Sequence, residues 1–219
     1  MKKILLFFIF LFTLIFCNSS KLPNDVRWVV SSKEYKQLCE QVYDHAQYVC
    51  MMKSNFYKSN TMFKKPAIVM DLDETVLDNS QYQVELFNKG ESFNMDSWAE
   101  WVLREEANLV PGAKEFIDYI RSIDIQIIFI SNRMHERLDA TKSNMRKLGI
   151  LEDDDIFLLR LDKKDTKVIR REEVLAGTNR MKNYGKFDVM AYFGDASGDF
   201  PLDNSSNYFI FPNPMYGKW

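Results

Sequence analysis

The sequence predicts an α/β fold, built as a doubly wound, mostly parallel sheet with a small helical subdomain. Five short apolar runs of strand length follow one another along the chain, and amphipathic helical patterns lie between them. Strands that alternate with helices are typical of βαβ units. The chain has 219 residues, of which 46% are hydrophobic and 27% charged, which suits one globular domain with its own core and excludes a disordered chain.

The predicted strands show little alternation of apolar and polar residues, as expected for strands that are covered on both faces. They are AIVMDLD at 67–73, IQIIFIS at 125–131, IFLLR at 156–160, DVMAYFG at 188–194 and NYFIF at 207–211. Each run is too short for a typical helix, and most end in polar or charged residues. We therefore expect the catalytic or ligand-binding residues at the carboxyl ends of these runs.

The predicted helices have apolar residues at helical spacing. They cover residues 31–53, which follow a start signal at Ser31 or Ser32, and residues 113–123, 136–149 and 165–177. The aromatic-rich segment 79–110 interrupts the alternation, so we expect a partly helical insertion over the sheet edge. The predicted domain spans residues 31–219, with a small α subdomain from 31–55 and 79–110 and a core from 56–78 and 111–219.

The N-terminal sixteen residues have the composition of a signal peptide. Lys2 and Lys3 precede an apolar run at 4–16, which is shorter than the roughly 20 residues that a membrane-spanning helix needs. Cys17 directly after this run resembles the lipidation site of lipoproteins, although Phe16 stands where a small residue is usual. We expect an exported, periplasmic or cell-surface protein, held at the membrane by a lipidated tether at 17–30. An ordinary cleaved signal with an incidental cysteine and an uncleaved short anchor are the alternatives.

Charge and cysteine spacing exclude other classes. The formal net charge is −2 without a basic block, so we expect no nucleic-acid polymer as a partner. Cys39 and Cys50 lie eleven residues apart in one predicted helix, about 16 Å along its axis, which is too far for a disulfide. We predict two buried thiols. The two histidines, His45 and His135, have no partner at metal-ligand spacing.

Polar clusters follow several of the predicted strands. They are Asp71, Asp73 and Thr75 after the first, Ser131 and Asn132 after the second, Lys163, Lys164 and Lys167 after the third, and Asp195 and Asp199 after the fourth. Carboxylates that converge at one sheet edge repel each other, and Mg²⁺ prefers such oxygen ligands. Hydroxyl, amide and lysine groups beside them suit a phosphate. The sequence therefore predicts a Mg²⁺-assisted phosphoryl-transfer site.

The segments DLDETVLDN at 71–79, SNR at 131–133 and the aspartates 195 and 199 resemble the haloacid dehalogenase (HAD) superfamily of phosphohydrolases. More narrowly, the chain is similar to class C or DDDD acid phosphatases of the lipoprotein e type, which are exported and often lipidated. The segments SKEYKQLCEQVYDHA, VPGA and FPNPMYGKW extend the likeness over nearly the whole mature chain. The resemblance implies a HAD-like core, Mg²⁺ as cofactor and small phosphomonoesters as substrates, with nucleoside 5′-monophosphates preferred.

The resemblance also implies roles for individual residues. Asp71 corresponds to the nucleophile that forms an aspartyl-phosphate, and Asp73 to the general acid and base, whose backbone carbonyl also binds the metal. Lys167 corresponds to the catalytic lysine, with Lys163 and Lys164 as alternatives. The implied metal ligands are Asp71, Asp73, Asp195 and Asp199; the implied phosphoryl-binding and loop residues are Ser131, Asn132 and Thr75.

The insertion contains a cluster of aromatic residues, Tyr82, Phe93, Trp98 and Trp101. We predict that Tyr82 and Phe93 flank a nucleobase, whereas a purely structural role in the subdomain core is the alternative. Two other functions remain open: a phosphotransferase that uses an alcohol as acceptor, and a surface lipoprotein that binds ligands without turnover. The sequence also leaves open whether the protein forms a homodimer.

Overall fold

The computed structural model of the protein describes residues 21–59, 65–202 and 207–217. The predicted signal peptide at 1–16 and the predicted lipidation site Cys17 lie outside these residues. Within the described part of the chain, no helix combines the length and apolarity needed to cross a membrane.

Helices and strands alternate along the described chain, with short connections. The helices are α1 (Asn24–Ser31), α2 (Lys33–Ser59), α3 (Ser80–Lys89), α4 (Met95–Arg104), α5 (Ala113–Ser122), α6 (Leu138–Lys147) and α7 (Lys167–Ala176). The strands are β1 (Pro66–Met70), β2 (Leu77–Asp78), β3 (Asn108–Leu109), β4 (Gln126–Met134), β5 (Ile156–Arg160), β6 (Asp188–Gly194) and β7 (Asn207–Ile210). Short 3₁₀ turns cover His135–Arg137, Asn179–Met181 and Ser197–Asp199.

The main sheet has five parallel strands in the order β5-β4-β1-β6-β7. Met70 at the end of β1 pairs with Phe129 of β4 on one side and with Phe193 of β6 on the other. The carboxyl ends of the three central strands therefore meet at one edge. All five predicted strands are present, and the predicted doubly wound α/β fold is confirmed.

Alternate residues of β1 enter two separate cores. Ile68 and Met70 belong to the larger cluster, with side chains from α2 and α5, whereas Ala67 and Val69 belong to the smaller one, with Val174 of α7. Side chains of a strand point alternately to opposite faces, so a central parallel strand is apolar throughout when helices cover both faces. The unbroken apolar run of the sequence follows from this arrangement.

The division into core and subdomain stays a prediction: of the helices assigned to the subdomain, α3 contacts α1, whereas α2 packs mainly on α5, β7 and β6 of the core. The short antiparallel pair β2 and β3 brackets α3 and α4, and α1 contacts both α2 and α3. The sequence did not predict α1, which lies within the segment assigned to the tether. Its polar residues leave only Val26 and Val29 as buried positions, which is too short a stripe to indicate a helix.

Helix α2 runs six residues beyond the predicted end at 53 and carries the two cysteines. Cys39 and Cys50 are both buried and free, as predicted. Burial raises the pKa of both thiols to about 12. They act as small apolar side chains in the core.

Candidate active site

Three carboxylates meet at the carboxyl edge of the sheet. Asp71 directly follows β1, and Asp195 and Asp199 follow β6. One oxygen atom from each carboxylate lies within 4.8 Å of the other two. The parallel pairing of β1 with β6 produces this cluster, because it brings residues more than 120 positions apart to the same edge.

Lys167, the first residue of α7, reaches into the carboxylate cluster. Its Nζ donates hydrogen bonds to Asp71 Oδ1 and Asp199 Oδ1. The hydroxyl of Thr166 caps α7 by accepting a hydrogen bond from the Ile169 backbone, which fixes the start of the helix and the position of the lysine. Lys163 and Lys164 are exposed in the preceding turn, so Lys167 is the lysine that the fold brings to the site.

Burial and mutual repulsion disfavour the charged forms of the acids. Burial, together with the charges of Asp199 and Asp195, holds the pKa of Asp71 well above its usual range, although Lys167 opposes this rise. Burial raises the pKa of Asp195 to about 6, against the effect of a 2.6 Å hydrogen bond from Asn213 Nδ2. Burial also works against the charge of Lys167, but the two bound carboxylates raise its pKa. The cluster therefore favours additional positive charge.

The chemistry of these donors fits a hard divalent cation. Asp71, Asp195 and Asp199 offer carboxylate oxygens alone, which are the ligands that Mg²⁺ prefers. The side chain of Asp73 is not part of this group. The expected contribution of the Asp73 backbone carbonyl to the metal stays a prediction.

The Asp73 carboxylate is held by a separate set of donors. Its Oδ1 atom accepts hydrogen bonds from Arg133 Nε at 2.9 Å and Asn79 Nδ2 at 3.0 Å. Among the residues that the structure describes, its Oδ2 atom receives a single hydrogen bond, a long one of 3.4 Å from the hydroxyl of Ser131. One oxygen is thus fixed by a cation and an amide, whereas the other is held less firmly.

Sequence analysis assigned no role to Arg133, which it noted only as the last residue of the SNR segment. The guanidinium is fully buried and also binds Asn79 Oδ1 at 3.2 Å. That amide oxygen in turn accepts a hydrogen bond from Trp101 Nε1 at 2.9 Å. Trp101 therefore belongs to the subdomain core, and it ties the subdomain to the residues that hold Asp73.

Ser131 and Asn132 lie at the end of β4, where the sequence placed them. Ser131 is fully buried, and its hydroxyl accepts a hydrogen bond from the Arg133 backbone at 3.1 Å. Asn132 lines the cavity in front of the acids. Arg170 holds this end of β4 in place. It donates one hydrogen bond to the Ser131 carbonyl and another, of 2.8 Å, to Asn132 Oδ1.

The loop after Asp73 is fixed mainly by buried polar groups. The Thr75 carbonyl accepts a 2.6 Å hydrogen bond from the Tyr43 hydroxyl, and Thr75 is fully buried and is not among the residues that line the cavity. Glu74, which has a positive φ of 56°, accepts a hydrogen bond from the Asn79 backbone at 2.8 Å. The predicted role of Thr75 in orienting the loop stays a prediction.

A cavity of about 850 Å³ opens in front of the carboxylates and extends toward the subdomain. Phe93 and Trp98 line it, and Phe93 is 57% exposed. Tyr82 is only 3% exposed, packs against both rings and donates or accepts a 2.8 Å hydrogen bond with the Ser97 hydroxyl. Of the two predicted stacking residues, Phe93 lines the cavity, whereas Tyr82 does not and packs against the ring of Phe93 instead.

Residues 17–219 match the model of the HAD superfamily, subfamily IIIB (acid phosphatase). The chain belongs to this family of acid phosphatases. The family resemblance predicted from the motifs is confirmed, and with it the assignment to the phosphomonoesterases.

Solved structures and curated proteins show the same likeness. The class C acid phosphatase from Bacillus anthracis, of which one of two structures has tungstate bound, is 32% identical to this chain. It aligns with a TM-score of 0.71 over 88% of this acid phosphatase and 84% of its own chain. A stem 31 kDa glycoprotein of Glycine max is 26% identical over 152 residues, and vegetative storage protein 1 of Arabidopsis thaliana is 24% identical over 195 residues. The matched part of this acid phosphatase spans 58% and 67% of the length of these two plant proteins.

Proposed function

We propose that the protein is an exported, Mg²⁺-dependent acid phosphatase that hydrolyses phosphomonoesters through an aspartyl-phosphate, with nucleoside 5′-monophosphates as preferred substrates. The observation that carries the proposal is the separation of the aspartates into two different environments. Asp71 shares a cluster with Asp195, Asp199 and Lys167, whereas Asp73 is held apart by Arg133. A nucleophile needs nearby positive charge, and a general acid needs an oxygen that is free to carry a proton.

In the first step, a carboxylate oxygen of Asp71 attacks the phosphorus, and the bond from phosphorus to the alcohol oxygen breaks. Asp73 Oδ2 gives its proton to the departing alkoxide, while Oδ1 stays bound to Arg133 and Asn79. Lys167 screens the negative charge of the phosphoryl group from Asp71. The alcohol leaves, and Asp71 carries the phosphoryl group.

In the second step, Asp73 takes a proton from a water molecule that attacks the phosphorus. The bond between Asp71 and phosphorus breaks, and inorganic phosphate leaves. Both carboxyl groups return to their starting protonation states. A divalent cation among Asp71, Asp195 and Asp199 would supply the charge that offsets repulsion between the carboxylates and the phosphate. Tungstate, bound in one of the Bacillus anthracis structures, is a tetrahedral oxyanion like phosphate, which supports an oxyanion site in the shared fold.

The preference for nucleotides is supported by the exposed ring of Phe93 beside Trp98 in the cavity. A stacked base contributes roughly 1–3 kcal/mol per aromatic side chain. Phe93→Ala should therefore raise the KM for adenosine 5′-monophosphate by about tenfold or more and leave glycerol 3-phosphate nearly unchanged. Tyr82→Ala, the control for subdomain packing, should affect both substrates alike. Equal losses on both esters in Phe93→Ala would remove the nucleotide preference and leave the phosphatase proposal standing.

We also propose that Cys17 carries the lipid that holds the enzyme at a membrane, on the strength of the apolar run before it. Cells that express the full chain should incorporate labelled palmitate into the protein, and the protein should enter the detergent phase. Cys17→Ser should lose both properties, with Cys39→Ser as the control, because Cys39 is buried in α2. A native protein that stays in the aqueous phase would contradict the anchor.

The test of the activity is phosphate release from a panel of phosphomonoesters, with Mg²⁺, with EDTA and with Mg²⁺ restored. We expect turnover that EDTA abolishes and Mg²⁺ restores. Transfer of phosphate to added methanol at the expense of inorganic phosphate would indicate a phosphotransferase instead. A folded protein without turnover on any ester at any metal concentration would refute the enzyme and leave the binding lipoprotein.

A further inference from the structure

The cavity in front of the carboxylates extends to a basic corner at the edge of the sheet. Arg160, the last residue of β5, pairs with Met134 of β4. Arg137 lies three residues after Met134, in the 3₁₀ turn that contacts β5. Both arginines line the cavity, and the two elements that carry them are in contact with each other.

The two guanidinium groups of this corner are incompletely satisfied. In each, the Nε atom is buried and has no hydrogen-bond partner within the described residues. The ion pair described for Arg137 is a 3.9 Å contact with Glu136, whose side chain is 79% exposed, and such a pair contributes little. Buried polar atoms are nearly always hydrogen-bonded in folded proteins. Neither arginine side chain donates a hydrogen bond to another described residue, and both line the cavity, so their donors are available to a ligand that supplies the acceptors.

The corner is distinct from the reacting centre. The cavity's other cations, Arg133 and Lys167, are bound to the catalytic carboxylates. In residues 21–59, 65–202 and 207–217, no hydrogen bond or ion pair joins Arg137 or Arg160 to those acids. Their charges are therefore available to an anion other than the phosphoryl group that reacts at Asp71.

We propose that Arg137 and Arg160 form a second anion subsite, which binds a phosphate or carboxylate group on the alcohol part of the phosphomonoester. Paired guanidinium groups suit both anions, because their planar donors match two oxygen atoms at once. A cavity of about 850 Å³ has room for a small ester with an anionic group at each end. The inference rests on the proposed phosphatase function and adds to it: an ester whose alcohol part carries a second anionic group should be preferred over its singly anionic counterpart.

Matched pairs of esters test the subsite. 3-Phosphoglycerate differs from glycerol 3-phosphate by a carboxylate, and adenosine 3′,5′-bisphosphate differs from adenosine 5′-monophosphate by a phosphate. We expect Arg137→Gln and Arg160→Gln each to lower kcat/KM about ten- to hundredfold on the doubly anionic member of at least one pair, the scale of a charge-assisted hydrogen bond. The singly anionic members should change by less than about threefold. The affected pair tells a carboxylate subsite from a phosphate subsite.

Arg146→Gln is the charge-matched control, because Arg146 is exposed on α6 and does not line the cavity. Arg137→Lys and Arg160→Lys should keep part of the preference, which separates lost charge from lost folding. Equal losses on both members of a pair would mean that the arginines hold the reacting phosphoryl group, and unchanged rates would mean that they are surface cations. Either result overturns the subsite.

A binding measurement tests the anion subsite independently of the proposed phosphatase activity. Titration calorimetry with Asp71→Asn protein measures the affinity of the same esters without depending on turnover. A preference for the doubly anionic ester that disappears with Arg137→Gln supports the subsite even if hydrolysis is never observed. Absence of hydrolysis in the native protein would refute the phosphatase alone, and equal affinities would refute the subsite alone.

Discussion

Arg133 offers the sharpest test of how the site is held together. Arg133→Gln removes the cation that binds Asp73 Oδ1 through Nε at 2.9 Å and Nη2 at 2.8 Å. It also removes donors to Asn79 and Thr141. Breaking a buried ion pair from one side costs about 3–5 kcal/mol, because the remaining charge loses its partner. Since Asp73 keeps some contact with solvent, we expect the lower end of that range, about 3 kcal/mol in the free energy of unfolding.

Activity should fall together with stability, and unequally among substrates. Without Arg133, either oxygen of Asp73 can carry the proton, so the geometry of proton transfer is lost. General acid catalysis contributes roughly 10²–10⁴-fold, which sets the upper limit of the effect. Alkyl phosphates, which release a basic alkoxide, should lose far more than p-nitrophenyl phosphate, whose leaving group needs little protonation.

The assays are urea unfolding followed by circular dichroism, and kcat/KM on both esters below the unfolding transition. Arg104→Gln is the control, because Arg104 forms ion pairs with Glu85 and Glu106 at the exposed surface of α4, and such pairs contribute about 0–1 kcal/mol. The reasoning is refuted if Arg133→Gln unfolds at the same urea concentration as Arg104→Gln and keeps the native ratio of rates on the two esters.

Three further outcomes are expected. Asp71→Asn should fold normally and lower kcat by at least about 10³, measured as phosphate release, because the amide cannot attack phosphorus; near-native turnover would exclude it as nucleophile. Gly194→Ala should lower the free energy of unfolding by about 1–3 kcal/mol, since the added Cβ would lie 2.3 Å from side-chain atoms of Asp199. Gly198→Ala has open space around it and should unfold like the native protein. The two thiols of α2, whose pKa values burial raises to about 12, should react with iodoacetamide at pH 8 roughly a thousandfold slower than free cysteine until denaturant is added; rapid labelling in mass spectra of the native protein would contradict their burial.

The strands and the position of the site could be predicted because both depend on local patterns. A central parallel strand is apolar on both faces, and its polar residues lie at its carboxyl end, so Asp71 and Asp195 are recognisable without knowing the pairing. Their proximity then follows from the rule that ligands bind at this edge of the sheet. The choice of Lys167 depended on the family resemblance, since three lysines stand within five residues.

The role of Arg133 could not be predicted, because its partner Asp73 lies 60 residues earlier in the chain. A charged residue after a strand is usually solvated, and only the assembled fold shows that this one is buried. Tyr82 presented the opposite difficulty. From the sequence, a tyrosine near the site is equally compatible with stacking on a ligand and with packing inside the protein. The hydrogen bond between Tyr82 and Ser97 favours packing inside the protein.

The strand order has a consequence for how the protein acquires its activity. The first strand of the main sheet lies at its centre, between β4 and β6, and β6 begins 122 residues after β1 does. While the chain is being made, β1 and Asp71 therefore lack the neighbouring strand β6 until almost the whole domain has emerged. Pairing between such distant segments is slow, because a long loop must close before any contact forms. Catalytic competence should thus appear in a single late event, and a chain stalled before residue 188 would expose an unpaired apolar strand edge that invites aggregation.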